Sequence, residues 1–491
     1  FDAAFGSGGN PLRQLGTLAF LALWLLAATG IWLYVVLDTS VAGAHASIAA
    51  LSSAPWSPGG LVRSLHRYAA DAFVLFTAGH LLRELLFGRW RAFRRFTWLT
   101  GTALLPLIAV SAIGGFWLNW DRLGQFSAIA TAEWVDALPL LASPFARNFV
   151  GAATVSDRLF SLFVFVHLGV PLLLVFGLWF HIQRLARAAV FPPRRLALGT
   201  MATLLALCVA APVASQAPAD LARVPAALPL DWVLLWVHPF MYATSAGATW
   251  ALALGSLAAL FALPLWPTRA ARAARQPVAV VDPPNCNGCE RCFVDCPYAA
   301  VTMAPHPFKR VGRQIAVVDA DLCAACGICA GSCPSSTPFR RGEALVTGID
   351  MPQSPVDALR RQLHDGLAAM RAERPLAVFA CREAADARGL QGPDTLVLTL
   401  ICAGQLPPSF VEYALRDGAA GVVIASCREG GCTFRLGVRW TAQRLAGTRE
   451  PHLRAEVPRE RVELVQADPG EEAALVRAVQ GMRDRLKQIK A

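Results

Sequence analysis

Charge is scarce in this chain. Only 16% of its 491 residues are charged, against 55% that are hydrophobic, and the first 270 residues hold a single cysteine, Cys208. A segment this apolar does not read as a soluble domain. No glycine-rich nucleotide fingerprint is present, which excludes a dinucleotide or P-loop site recognisable by motif. No Cys-x2-Cys-His occurs either, so covalent attachment of a c-type haem is excluded. The first apolar run is long and has no small-residue cleavage site behind it, so it is expected to remain in the protein and not to be removed as a signal peptide.

What is present divides near residue 270. Before that point six apolar runs, 15–38, 65–87, 97–119, 158–182, 196–214 and 244–266, each reach the ~20 residues that a bilayer-spanning helix needs. After it come a tether, PTRAARAARQP, a more polar sequence and the other twelve of the thirteen cysteines. The net charge of +11 would suit nucleic acid if the basic residues formed one face. Instead they stand in alternate loops: GRWRAFRR (Arg89, Arg91, Arg94, Arg95), QRLARAAVFPPRR (Arg184, Arg187, Arg194, Arg195) and RAARAAR. Under the positive-inside rule those loops, both termini and the whole cysteine-rich half face the cytoplasm. The expected location is a bacterial or archaeal inner membrane, with lipid and not nucleic acid as the surrounding partner. In a reducing compartment the cysteines point to metal ligation and not to disulfides.

Four histidines repeat one interval. His66 and His80 are fourteen apart, and so are His167 and His181 in VFVHLGVPLLLVFGLWFHI. Fourteen residues of helix travel about 21 Å and return to nearly the same face. Each helix therefore carries an imidazole at two depths, and the two helices together define two facing pairs. Tetrahedral zinc wants its ligands clustered on one level; haem iron wants two imidazoles across a flat macrocycle. Gly16 and Gly30, and Gly101 and Gly115, keep the same interval and give each level two positions without a side chain, where a porphyrin can approach backbone. Arg63 precedes His66 by three residues and Arg83 follows His80 by three, one turn outward on each side, where a cation can neutralise a haem propionate. By helix direction His66 pairs with His167 near the outer face and His80 with His181 near the cytoplasm.

Residues 10–268 resemble cytochrome b of the quinol-oxidising bc complexes. GGFWLNWD (Gly114 to Asp121) resembles the family's Gly-Tyr-x-Leu-Pro-Trp-Gly beside its outer quinol pocket, and LDWV (Leu230 to Val233) stands where the family has Pro-Glu-Trp-Tyr. The resemblance implies two haems b, an outer quinone site in which Asp231 replaces the proton-accepting glutamate, and a homodimer. Departures from the family are the lost Pro and Tyr, an Asp shorter than Glu, and six runs in place of eight spans.

CNGCERCFVDCP places Cys286, Cys289, Cys292 and Cys296 before Pro297, and CAACGICAGSCP places Cys323, Cys326, Cys329 and Cys333 before Pro334. This is the two-cluster ferredoxin spacing, in which the fourth cysteine of each run ligates the other cluster. Cys286, Cys289, Cys292 and Cys333 are expected on one [4Fe-4S], and Cys323, Cys326, Cys329 and Cys296 on the second. Past an amphipathic connector, LAVFAC, LVLTLIC, GVVIASC and VELVQAD read as strands alternating with helices, a parallel α/β pattern. Cys381, Cys402 and Cys427 each end a strand, and Cys432 follows in SCREGGC. Strand carboxyl ends lie along one edge of a parallel sheet, so these four are expected to hold a [2Fe-2S] cluster. SCREGGCTFRLG and ICAG make this region resemble the iron-sulfur delta subunit of the methyl-viologen-reducing hydrogenases. Of the extra cysteines in that family's first motif, only Cys381 remains here. Cys208 is left over and is expected to be packing.

The expected fold is multidomain: an all-α transmembrane four-helix haem bundle with two further spans (1–268), a ferredoxin-like two-cluster domain (277–345), a helical connector (346–372) and a C-terminal α/β parallel-sheet domain (373–491). The expected activity is that of an oxidoreductase subunit passing electrons between a cytoplasmic dehydrogenase, hydrogenase or flavoprotein subunit and membrane quinone, with no complete site for a soluble substrate. A second reading is quinol oxidation that sends one electron inward and one to a periplasmic cytochrome. A third is a redox sensor or scaffold whose cofactors do not turn over.

Overall fold

The computed structural model describes residues 1–6, 9–138, 150, 154–223, 227–266, 277–308, 312–334 and 345–488. Residues 267–276 of the expected tether, with the RAARAAR loop, lie outside them. The chain forms two compact units, one drawn mainly from residues 9–183 and 188–268, the other mainly from 269–491.

The first unit is helical. Its elements are α1 (Leu15–Val36), α2 (Pro58–Leu86), α3 (Arg95–Asn119), α4 (Arg122–Asp136), α5 (Asp157–Ile182), α6 (Arg194–Ala210) and α7 (Ala246–Ala262). All six apolar runs are helical, but among the described residues only α1, α3, α5 and the stretch Ala246–Leu265 are long and apolar enough to cross a membrane. Four candidate spans are present on that measure, and the helices of the other two expected runs, α2 and α6, fall outside it. α2 has the length, at 29 residues, but carries Arg63, Arg67, Asp71, Arg83 and Glu84; α6 has only 17 residues. The charges of α2 are paired, Arg67 with Asp71 at 2.6 Å and Arg83 with Glu84 at 2.7 Å, which lowers the cost of keeping them in an apolar bundle.

α2 starts cleanly because Ser57 accepts a hydrogen bond from the Gly60 N–H at 3.2 Å and Pro58 occupies the first turn, a position where proline lacks nothing the helix needs. α3 stops at Trp120, whose φ of 43° is left-handed, and Asp121 then caps α4 by accepting from the Gly124 N–H at 2.9 Å. The GGFWLNWD segment is thus a helix end, a sharp turn and a new helix start. Between the two histidine levels lies one apolar layer to which all four bundle helices contribute: Ala22 and Leu23 of α1, Phe73 of α2, Leu104 of α3 and Leu174 of α5. Phe73 and Leu174 each stand seven residues from both histidines of their helix. Cys208 is fully buried in α6.

The second unit begins with small elements. β1 (Val280–Val281) pairs antiparallel with β4 (Ile349–Asp350), and β2 (Val301–Pro305) with β3 (Gln314–Val318). Two five-residue helices, α8 (Arg291–Asp295) and α9 (Ile328–Ser332), each stop at the fourth cysteine of a motif, Cys296 and Cys333. The rest is a parallel sheet of β5 (Leu376–Cys381), β6 (Thr395–Leu400), β7 (Gly421–Ser426) and β8 (Val462–Gln466), in the order β6-β5-β7-β8. β5 and β7 are buried throughout, as apolar runs with helices on both faces should be. Leu475, Val479, Met482 and Leu486 of α13 (Glu472–Gln488) close one face against Val378, Val423 and Val465. α10 (Val356–Ala368) buries Val356, Leu359, Leu363 and Leu367 on one stripe, and its Gly366 lies against Leu396 of β6. The connector helix is therefore a layer of the sheet domain and not a spacer. α11 (Ser409–Arg416) connects β6 to β7 and α12 (Gly437–Leu445) connects β7 to β8, while β5 reaches β6 through a loop with one short turn of helix at Arg388–Leu390.

Candidate redox-cofactor sites

Each histidine of the bundle lies against one of the four glycines. A Cβ on Gly30 would come within 3.1 Å of His66 Cε1, and on Gly115 within 2.9 Å of His167 Cε1. On the other level a Cβ on Gly101 would meet His181 Cε1 at 2.7 Å and one on Gly16 would meet His80 Cε1 at 3.5 Å. The shared interval thus brings histidine and glycine together at both depths. His66 and His167 have ring centroids 6.5 Å apart. Two metal–nitrogen bonds of about 2 Å plus two ring radii of about 1.1 Å give roughly 6.3 Å for imidazoles on opposite sides of one iron. The outer pair has that spacing.

The ring orientation is fixed from neighbouring helices. Thr29 Oγ1 lies 2.9 Å from His66 Nδ1 and donates its own proton to the Leu25 carbonyl at 2.6 Å. Toward the ring it can only accept, so Nδ1 carries the proton and Nε2 keeps the lone pair. His167 Nδ1 lies 3.0 Å from the Ser111 carbonyl and must donate to it. Thr100 Oγ1 donates to the Phe96 carbonyl at 2.9 Å and stands 3.4 Å from His181 Nδ1. Sequence reasoning missed Thr29, Thr100 and Ser111. The available signal was a repeated Thr-Gly pair, Thr29-Gly30 and Thr100-Gly101.

Arg63 is buried; its Nη2 donates to Ser215 at 2.8 Å and to Asn119 at 3.3 Å, while Nη1 is buried with no partner among the described residues. An orphaned donor one turn from His66 fits an anionic group at that level. Arg83 is engaged with Glu84 and lies 5.3 Å from the Phe87 ring centroid.

Asp231 accepts from the backbone N–H groups of Val233 and Leu234 at 3.0 and 2.8 Å and makes a close ion pair with Arg67. Arg67 adjoins His66 and stacks on Phe116 at 5.3 Å. Leu230 packs in one cluster with Ile113, Phe116, Trp117, Leu235 and Val237, so the GGFWLNWD and LDWV segments meet. Arg67 was not singled out from sequence.

In the second unit Cys286, Cys289, Cys292 and Cys333 line one cavity with Met303 and Ile349. The fourth cysteine of the second motif therefore crosses to the first three of the other. Cys326 lies within electrostatic reach of Cys296 and Cys323, and Cys329 within reach of Cys326, Cys292, Cys323 and Cys296, which groups the complementary foursome with Cys292 of the first close by. The two loops repeat one backbone shape. Gly288 and Ala325, then Glu290 and Gly327, have φ of 69°, 53°, 63° and 75°. Alternating left-handed residues curl backbone N–H groups around a centre, the concavity that suits an anionic cluster. Ala300 N–H donates to Cys296 Sγ at 3.3 Å. Burial pushes the Cys292 thiol up to about 12 and raises Cys326 and Cys329 as well, so metal must displace protons there.

Cys381 ends β5, Cys402 lies two residues past β6 and Cys427 one past β7; all three and Cys432 are buried. Cys381 and Cys427 have sulfurs 4.0 Å apart, close to the ~3.8 Å edge of a tetrahedral thiolate site with 2.3 Å metal–sulfur bonds. Hydrogen bonding among the four thiols lowers Cys381 and Cys432 from the ordinary thiol value and raises Cys402 and Cys427. A Cβ on Gly437 would fall on Cys402 Sγ, so that side of the site admits glycine alone. Among the described residues no three His, Cys, Asp or Glu close on a single metal ion.

Paired imidazoles on apolar helices, crossed cysteine foursomes and thiols at sheet ends define a membrane electron-transfer subunit. Residues 10–189 match the family model for cytochrome b/b6/petB, residues 285–337 that for a 4Fe-4S dicluster domain, and residues 377–490 that for the delta subunit of methyl-viologen-reducing hydrogenase. Their order is the one expected from the sequence, and they imply haem b and iron-sulfur clusters. A solved chain described as "Hyperthermophilic respiratory Complex III" is 18% identical, with 52% of this chain and 75% of that chain covered and a TM-score of 0.43, a likeness too slight to argue from.

Proposed function

We propose that the chain is the quinone-reactive subunit of an oxidoreductase complex, passing electrons between a cytoplasmic redox subunit and the membrane quinone pool. The observation that carries this reading is the outer histidine pair, 6.5 Å apart with both Nδ1 atoms tied to neighbouring helices. His66 and His167 would hold one haem b, and His80 and His181 the other. Arg63 would meet a propionate through its free Nη1; Arg83, already paired with Glu84, would act on the inner level through that pair. Cys286, Cys289, Cys292 and Cys333 would hold one [4Fe-4S], Cys296, Cys323, Cys326 and Cys329 the second, and Cys381, Cys402, Cys427 and Cys432 a [2Fe-2S]. When bound, these groups supply one-electron redox chemistry at potentials set by ligand, burial and charge.

Asp231 would move a proton in quinone redox, supplying it as quinone is reduced. To do so its carboxylate must leave Arg67, whose guanidinium keeps the charge beside His66. The domain resembling the hydrogenase delta subunit would receive the partner, on the cytoplasmic face of an inner membrane, with two copies of the chain in the assembly. Ferredoxin-type clusters lie low in potential, so net flow would run from partner to quinone. An equilibrium redox titration of the purified protein tests this, following haems optically and clusters by electron paramagnetic resonance. Two b haems with clusters below them are expected. Clusters at or above the haems would reverse the direction, and failure to find two haems would overturn the membrane half.

A further inference from the structure

The α/β domain and the two-cluster domain share one unit, and a buried charge joins them. Arg444 of α12 and Asp295 of α8 are 1% and 2% exposed and pair at 2.6 Å. Asp295 Oδ2 also accepts from Ser332 at 2.7 Å, Oδ1 makes a close pair with Arg449, and the Asp295 carbonyl accepts from Trp440 Nε1 at 3.1 Å. Arg444 Nη1 donates to the Gly404 carbonyl at 2.9 Å. Two arginines on one aspartate leave an excess of one positive charge at the junction, with Arg444 and Asp295 buried and Arg449 partly exposed.

Its position is informative. Asp295 immediately precedes Cys296, and Gly404 lies two residues past Cys402. At this junction backbone meets backbone. A Cβ on Gly331 would fall on the Gly404 carbonyl oxygen and come within 2.9 Å of Arg444 Nη1; one on Gly404 would reach Ile328 Cγ1 at 2.8 Å; one on Gly327 would reach Gln405 at 3.0 Å. Gly327, Ile328 and Gly331 all flank Cys329. The cavity of Cys286, Cys289, Cys292 and Cys333 is instead closed by Met303, Ala316 and Ile349, and touches the junction through Gly331 and Ser332, which precede Cys333. Removing a side chain shortens the path an electron crosses, and removing it from both sides of a contact has no evident packing advantage over a small apolar pair.

We propose that electrons pass between the four-thiol site of the α/β domain and the cubane of Cys296, Cys323, Cys326 and Cys329 across the Gly404–Ile328 contact, with Arg444 as the positioning residue that also raises the potentials of both. The inference rests on the assignment of a [2Fe-2S] to Cys381, Cys402, Cys427 and Cys432. The step is a one-electron exchange in which one centre is oxidised and the other reduced; no bond forms or breaks and no proton moves. A buried cation favours the reduced, more negative form of a cluster, because net charge and hydrogen bonding set its potential.

The test is the midpoint potentials of the full-length protein carrying Arg444→Gln. Asp295 keeps Arg449 as its partner in that variant; a second variant, Arg449→Gln, removes the other positive charge on Asp295 and keeps the test alive if the first change fails to fold. The expected result is a fall in the midpoints of the [2Fe-2S] and of one cubane, with the other cubane shifting less. That same cubane should broaden the [2Fe-2S] resonance when both are reduced in the unmodified chain. Midpoints unchanged in the variants, equal shifts in both cubanes, or broadening by the unshifted cubane would overturn the proposal. Absence of a [2Fe-2S] resonance would overturn the cluster assignment itself and this route with it.

Discussion

The chain fixes its candidate cofactor ligands in two different ways. The histidines stand on long helices, and their geometry is inherited from helical register: one interval sets depth, face and glycine partner together. The layer of Ala22, Leu23, Phe73, Leu104 and Leu174 between the levels packs without any help from the histidines. The cysteines of the two-cluster domain stand among two-residue and five-residue elements, too short to form a layer apart from the thiols although they bury Ile315, Ile328 and Ile349 beside them. A site carried by an independent scaffold can lose its ligand and keep its shape. A site that is its own scaffold cannot, because the metal's binding free energy is also folding free energy.

The largest expected effect sharpens that contrast. His66→Leu is expected to reduce haem content from two per chain to one and leave helicity unchanged, since only the outer pair is broken. Cys329→Ala is expected to remove both cubanes and unfold residues 277–351, because the foursomes share two crossing cysteines. Haem absorbance, cluster resonances and circular dichroism measure each. A Cys329→Ala protein that keeps one cubane in a folded domain would erase the distinction.

A smaller effect separates the two glycines of the inner level. Gly101→Ala places a methyl 2.7 Å from His181 Cε1, inside any real contact, whereas Gly16→Ala leaves 3.5 Å to His80 Cε1, an ordinary van der Waals distance. Neither neighbour is a flexible tip, so the first change must push an imidazole off its axis. Gly101→Ala is expected to lose most of the inner haem, and Gly16→Ala to retain it. Equal retention in the two variants would mean the helices part easily and the glycines are incidental.

Much of this arrangement was legible in the sequence. The fourteen-residue spacing carried both histidine levels and their glycines, because α-helical geometry converts sequence interval into position without knowledge of the rest of the fold. The Cys-x2-Cys-x2-Cys-x3-Cys-Pro runs carried the crossing foursomes, and strand alternation carried Cys381, Cys402 and Cys427 to one sheet edge. Arg67, Arg444 and Asp295 were not legible. Arg67 meets Asp231 from 164 positions away, and Arg444 meets Asp295 from 149, so their partnership exists only after folding. The place of α2 was less legible: it reads as apolar between its ends, and its charges keep it outside a measure of length and composition while it packs along α1.

The smallest effect concerns the residues that hold the histidines. Thr29 lies 2.9 Å from His66 Nδ1 and Thr100 lies 3.4 Å from His181 Nδ1. A shell of this kind orients the ring and raises the basicity of the ligating nitrogen, and its loss typically costs about 10–100-fold in metal affinity. Valine replaces threonine with nearly the same volume, so Thr29→Val removes the acceptor without opening a cavity. It is expected to weaken the outer haem within that range and shift its midpoint potential, because a ring that no longer shares its Nδ1 proton donates less charge. Thr100→Val should do less, since a contact at 3.4 Å is near the limit of a hydrogen bond. Resolving the two haems optically at low temperature reads both variants. If Thr100→Val proved the stronger, hydrogen-bond length would not be the controlling quantity, and the two Thr-Gly pairs would serve the bundle by helix packing alone.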